Sequence, residues 1–196
     1  SPYGSVTIYA RWSANSQSIT YAAGTGGSGS APVSPTSVSY ASTFTTPANT
    51  YTRTGYSFAG WSDGTATYAA AATYPATGSV SGNVTLTATW SANTNNAITY
   101  DNGSATTAQT GGSTTYTTAS AIATLPTVAP LKTGYTFNGW YTAASGGSQV
   151  TNGSYTPASP YGSVTLYAQW SAKTDNAITF DNGSATTAHT GGSTSY

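Results

Sequence analysis

Charge is scarce in this chain. Of 196 residues, the only cations besides a single histidine are Arg11, Arg53, Lys132 and Lys173, set against Asp63, Asp101, Asp175 and Asp181, and there is no glutamate. An ordinary globular chain carries about a quarter charged residues, so this surface is hydrated by hydroxyls, amides and backbone groups instead. A nucleic-acid or anionic-membrane partner needs a clustered basic face, and four dispersed cations do not make one. Cysteine is absent, which removes disulfides, thiolate chemistry and cysteine-based metal sites together. No apolar run approaches the roughly 18 residues of a membrane helix. No basic stretch followed by an apolar one opens the sequence, so any targeting information is expected outside this segment.

Low charge does not mean disorder here. Disorder also requires few aromatic and β-branched residues, and this chain holds 16 Tyr, 5 Trp and 4 Phe among short alternating runs rich in Val, Ile and Thr. It has the apolar surface to fold.

The strongest signal is self-similarity. "SPYGSVTIYARWSA" (1–14) returns as "SPYGSVTLYAQWSA" (159–172), with "GNVTLTATWSA" (82–92) as a looser copy. "NAITYDNGSATTAQTGGSTTY" (96–116) returns as "NAITFDNGSATTAHTGGSTSY" (176–196). The tryptophan of the first motif recurs at Trp12, Trp90 and Trp170, and that of an aromatic turn, "GYSFAGW" then "GYTFNGW", at Trp61 and Trp140. The repeat is therefore about 79 residues long. The expected organisation is the closing strand of a preceding repeat at 1–14, complete repeats at 15–92 and 93–172, and the opening hairpin of a following repeat at 173–196. That phase suggests a window from a longer tandem array.

Within a repeat the periodicity is that of strands. "SVTLYAQW" alternates, placing Val164, Leu166, Ala168 and Trp170 on one face and Tyr167 on the other, and "NVTLTATW" repeats the pattern. "AITYDNG" reads as a short strand running into an Asp-Asn-Gly turn. In "GYTFNGW", Gly139 permits a bend that redirects Trp140. One helical turn is expected around 119–126, with Ile122 and Leu125 three apart and Pro126 as its stop. A unit this small buries only about 60–65% of its unfolded surface, so each large side chain is needed inside. The expected core is Trp12, Tyr56, Phe58, Trp61, Leu86, Trp90, Ile98, Tyr100, Tyr135, Phe137, Trp140, Leu166 and Trp170. Tyr9 and Tyr167, on the opposite strand face, form a candidate contact face, with cross-strand packing as the plainer account of both.

The order "ITYDNG … LP … KTGYTFNGWYT … SVTLYAQW" over 98–170, echoed by "ITY … RTGYSFAGWS … NVTLTATW" over 19–90, resembles the Listeria–Bacteroides repeat, the internalin B-repeat family. The resemblance covers essentially the whole chain. It implies a mainly β (α+β) fold of tandem, small, β-grasp-like (ubiquitin-like) domains. It also implies a place on extracellular, secreted or cell-surface bacterial proteins, as stalk, spacer or adhesive module. The charge depletion and the "YAAG" (21–24) that replaces "YDNG" in the first complete unit depart from the usual look of the family, which argues against a charged ligand site.

No catalytic constellation emerges. His189, the sole histidine, stands where the sister unit has Gln109, which argues for a surface-loop residue over an essential base or metal ligand. Asp101 and Asp181 each provide one carboxylate per loop. Calcium wants six to eight converging oxygens, whereas one Asp before Asn-Gly is turn chemistry. Lys132 would suit a Lys–Asn isopeptide crosslink, but its counterpart is Arg53, which cannot form one. The Asn-x-Ser/Thr sequons at Asn83, Asn102, Asn152 and Asn182 follow from abundant Asn, Ser and Thr. The expected function is a structural tandem-repeat segment without enzyme activity, cofactor or metal. Its partners are then neighbouring repeats and other copies in a filament. The competing expectation is an adhesin holding glycans or a host protein through exposed Tyr and Asn/Thr-rich loops.

Overall fold

The structure is a computed structural model that describes residues 3–175, 177–187, 190–193 and 195. The expectation for His189 lies outside the described residues. The chain divides into two units, Ser1–Ala92 and Asn93–Tyr196.

Unit 1 contains β1 (Ser16–Ala22), β2 (Ser37–Ser39), β3 (Phe44–Thr45), β4 (Tyr56–Ser62), β5 (Thr67–Tyr68), β6 (Thr73–Tyr74) and β7 (Val84–Ala92). Five of them form a mixed sheet in the order β2-β1-β7-β4-β5, while β3 and β6 pair separately. The first and last long strands lie side by side and parallel, Ile19 opposite Val84 through Ala22 opposite Thr87. Unit 2 repeats the plan with β8 (Asn96–Asp101), β9 (Thr115–Tyr116), β10 (Tyr135–Tyr141), β11 (Gln149–Val150) and β12 (Val164–Ala172), in the order β11-β10-β12-β8-β9. Here β8 and β12 are the parallel pair.

The aromatic strand shows how local sequence builds the core. Phe58 and Trp61 are three residues apart, which in a regular strand would put them on opposite faces. A bulge intervenes. Phe58 faces Trp90 and Gly60 faces Thr89, so Ala59 is an extra residue and the pleat changes phase. Both rings then point inward, with centroids 5.1 Å apart. Unit 2 makes the same slip between Phe137 and Gly139, bringing the Phe137 and Trp140 rings to 5.5 Å.

Each unit has its own core. In unit 1, Trp61 is fully buried among Tyr21, Tyr51 and Phe58, and Leu86 lies beneath them. The polar tips of these rings are satisfied: Trp61 Nε1 donates to Pro47 O at 2.9 Å, Tyr51 OH to Tyr21 O at 2.9 Å and Tyr21 OH to Pro35 O at 2.8 Å. Burial pushes the Tyr21 phenol up to about 12. In unit 2, Trp140 is buried against Tyr100 and Phe137, with Ile98, Ile122, Val150 and Leu166 around it. The buried Asn96 amide spans Asn93 O, Tyr116 O and Thr118 Oγ1, tying the start of β8 to β9.

The shortage of charge has an architectural counterpart at the sheet edges. Exposed edges invite pairing with other chains, and lysine is the common deterrent. Here the edge strands β2, β5, β9 and β11 are only two or three residues long, so little unpaired backbone is on offer.

Four expectations are corrected. Trp12 is 92% exposed, whereas its sisters Trp90 and Trp170 pack against Phe58 and Phe137. Residues 3–15 form no strand and belong to neither sheet. Tyr135 is 40% exposed. Its ring leaves the core and lies under Lys132 Nζ, 4.2 Å from the ring centroid. The segment 119–126 is not helical. Ile122 gives its N–H to Tyr155 O and takes one from Gly153, while Thr124 O accepts from Ser113, so non-local partners claim the groups a helix would need. Ala119 also takes φ 59°, outside the right-handed helical region. No helix occurs among the described residues.

Asp63 provides a pH handle on unit 1. Its Oδ1 accepts the backbone N–H groups of Ala66 and Thr65, both at 2.8 Å. Its Oδ2 accepts the hydroxyls of Tyr68 and Tyr74, both at 3.3 Å. These bonds, the Ala66 N–H foremost, hold its carboxyl below the ordinary carboxylate value. A depressed folded-state pKa contributes stability that is present above the unfolded-state value and is lost as pH falls through the folded one. Unit 2 has Thr142 at the matching position. Thermal unfolding followed from pH 6 down to pH 2 should therefore show unit 1 weakening more than unit 2. Asp63→Asn should abolish that difference, and equal acid sensitivity in the parent chain would refute the assignment.

Candidate functional site

Both units open a cleft beside the closing strand, at the turn that follows the first strand. In unit 1 it encloses about 420 Å³ and is lined by Gly24, Thr25, Arg53, Thr87, Thr89 and Trp90, among others. In unit 2 the matching cleft encloses about 390 Å³ and is lined by Asp101, Gly103, Lys132, Tyr135, Tyr167, Gln169 and Trp170, with Ser104, Ala144, Ser145 and Ala168 completing it. The frame is common to both, since the parallel strand pair sets the floor and the Arg53 or Lys132 side chain lies over the tyrosine three residues on.

The chemistry differs. In unit 1, Trp90 Nε1 donates to Ala23 O at 2.9 Å, which closes the turn over the indole. A Cβ built on Gly24 would stand 2.1 Å from Ala88 O, so only glycine allows so close an approach. In unit 2 the Asp-Asn-Gly turn is organised by its own carboxylate, with Gly103 N–H donating to Asp101 Oδ1 at 2.9 Å. This turn stands further off the strand, a Cβ on Gly103 lying 3.2 Å from Ala168 O. Trp170 Nε1 is left buried without a hydrogen-bond partner, as is Gln109 Oε1, whose backbone N–H reaches Asn102 Oδ1 at 3.4 Å. Gln169 Nε2 donates to Ala143 O at 3.0 Å and Gly146 O at 2.7 Å, fixing the loop that forms the outer wall.

The structure thus divides the sequence-predicted residues into three groups. Phe58, Trp61, Leu86 and Trp90 come together in unit 1, and Ile98, Tyr100, Phe137, Trp140, Leu166 and Trp170 in unit 2. Tyr56 and Tyr135 lie outside those clusters, under their cations. Of the candidate contact face, Tyr9 is exposed on the unpaired segment, whereas Tyr167 is half-buried, pairs in register with Tyr141 and Asp101, and lines the unit 2 cleft. Sequence reasoning missed the Asp101, Lys132 and Gln169 side chains as its neighbours. The parallel register of β8 and β12, which sets Asp101 opposite Tyr167, was the missing signal.

Among the described residues no three His, Cys, Asp or Glu side chains gather as a metal site would need, and no helix is long and apolar enough to cross a membrane. The Listeria-Bacteroides repeat domain, a repeat family associated with bacterial surface proteins, matches residues 18–89 and 97–169. No match was found among curated proteins or among solved structures. The two matched segments follow the two parallel-paired sheets almost from first strand to last, and on that span the chain belongs to the Listeria-Bacteroides repeat domain family.

Proposed function

We propose that the chain is a structural spacer of an extracellular bacterial surface protein, a segment of stalk or filament built from β-grasp-like units that lack the usual helix. The β-grasp reading is supported by sheet order: counting only the strands of the main sheet, unit 1 runs 2-1-5-3-4 with the first and last strands parallel. The repeat of one small domain and the three-residue connection between Ala92 and Asn96 suit a tandem array. On this reading its partners are neighbouring repeats of the same chain and other copies in a filament.

One observation carries the mechanical role. The chain enters each unit along one central strand and leaves along the parallel strand beside it. Tension on the two ends therefore pulls β1 and β7 in opposite directions along their length. Their ladder is loaded in shear, so its hydrogen bonds must fail together, whereas an antiparallel terminal pair would be unzipped one bond at a time. The Asn83 side chain adds a tie, accepting the Ser18 N–H at 2.9 Å.

Single-molecule stretching tests this. Each unit should open in one cooperative event that frees a contour length of roughly 260 Å, the span of about 77 residues at ~3.4 Å each. A Pro at Thr20, whose N–H faces β7, should lower the opening force by removing a ladder donor. Opening in many small steps at low force would overturn the spacer reading.

A further inference from the structure

We propose that the unit 2 cleft is a binding site for a neutral saccharide, held by Tyr167, Asp101 and Trp170, and that unit 1 lacks this site. The proposal does not depend on the spacer reading, since a stalk can carry a ligand site or not.

The two units provide an internal comparison in one chain. Thr87 of unit 1 becomes Tyr167, Thr89 becomes Gln169 and Ala22 becomes Asp101, all at one cleft. None of these changes serves the core, because the buried positions of the same strand, Leu86 and Ala88, are kept as Leu166 and Ala168. They add an aromatic ring, an amide and a carboxylate to a cavity of about 390 Å³, a size within the range of small-ligand pockets.

The kind of ligand follows from what lines the cavity. Tyr135, Tyr167 and Trp170 offer ring surface to an apolar C–H face. Asp101 Oδ1 is committed to the Gly103 N–H, which leaves Oδ2 to accept from a hydroxyl. Both amide hydrogens of Gln169 are spent on the 143–146 wall, so its Oε1 is a second acceptor. Lys132 Nζ, 4.2 Å from the Tyr135 ring and 5.9 Å from Trp170, adds a donor to the same lining. Asp101 and Lys132 cancel in charge, which favours neither an anion nor a cation. A ring compound with apolar faces and hydroxyls at its rim meets all of these demands.

The indole of Trp170 supplies an independent observation. Its N–H has lost the carbonyl that satisfies Trp90 and lies buried without an acceptor beneath the 101–104 turn. A buried unmet donor is costly, and a ligand hydroxyl that lifts the turn would meet it. In unit 1 the indole already holds the turn down, so no such gain is available.

The test is a titration of the full 196-residue chain with methyl glucoside, methyl galactoside, methyl mannoside and cellobiose, read on the tryptophan indole N–H signals by NMR. The Trp170 signal should move saturably in the millimolar range with at least one of these probes while that of Trp90 stays fixed. Asp101→Ala and Tyr167→Thr install the residues unit 1 already uses, and each should weaken binding about tenfold, with an unmoved Trp140 signal reporting an intact unit. A Trp170 signal that no saccharide moves up to 100 mM, equal movement of Trp90, unchanged affinity in both variants, or a response only to glycine betaine or inorganic phosphate would each overturn the proposal.

Discussion

Trp140→Ala should unfold unit 2 at moderate temperature and leave unit 1 intact. The side chain is 3% exposed and joins Tyr100, Phe137 and the Leu166 layer in one cluster. Truncating a buried tryptophan costs about 3–5 kcal/mol, and a domain of this size holds on the order of 4–10 kcal/mol in all. The two cores share no residue, so the loss stays local. Calorimetry of the parent chain and the variant, with the indole signals of Trp61 and Trp140 as reporters, would show one transition lost and the other in place. Trp61→Ala should do the reverse. If either substitution lowered both transitions equally, the units would not be independent.

Gly60→Ala should be strongly destabilising, and more so than Gly139→Ala. Both glycines sit at the bulge with φ in the region that favours glycine, 151° and 127°, and a side chain there costs about 1–3 kcal/mol in strain. At Gly60 the new Cβ would also meet Thr67 Cγ2 at 2.6 Å and Tyr68 O at 2.8 Å. A backbone carbonyl cannot step aside without breaking the pairing of β4 with β5. At Gly139 the nearest atom is Gln149 Nε2 at 2.6 Å, the end of a flexible side chain. Urea denaturation of the two variants should therefore give the larger midpoint shift for Gly60→Ala; equal shifts would mean that φ alone decides.

The repeat also makes clear what could be read from the chain unaided. The alternation in "VTLTATW" and "VTLYAQW" sets which side chains share a face, and Leu86, Ala88, Leu166 and Ala168 are buried accordingly. The glycine in "GYTFNGW" marks the bend that turns Trp140 inward. Ile19 and Tyr21 could have been added to the core by carrying Ile98 and Tyr100 back one repeat. Tyr51, Val80 and Ile122 could not, because they enter the cores from irregular segments with no period to announce them.

"GYSFAGW" and "GYTFNGW" also divide in a way the motif does not reveal. Tyr135 looked like a core residue because it alternates with Phe137, yet it lies where β10 faces the end of β12 at Ala172, at the rim of the sheet. There Lys132, three residues earlier, offers its ring a cation in place of a core.

Strand identity, repeat length and the bulge were determined by the sequence itself, because they rest on local geometry: a two-residue pleat and a backbone angle that favours glycine. Tertiary structure alone decided which strands became neighbours, and with that the two features from which the proposed spacer and the proposed saccharide site are argued. It set β1 against β7 and β8 against β12 in parallel, so that tension loads each unit in shear. It also carried Asp101 and Lys132 to Tyr167 across 66 and 35 residues of chain. Such contacts follow from closing long loops around a shared core, and no pattern of adjacent residues encodes them.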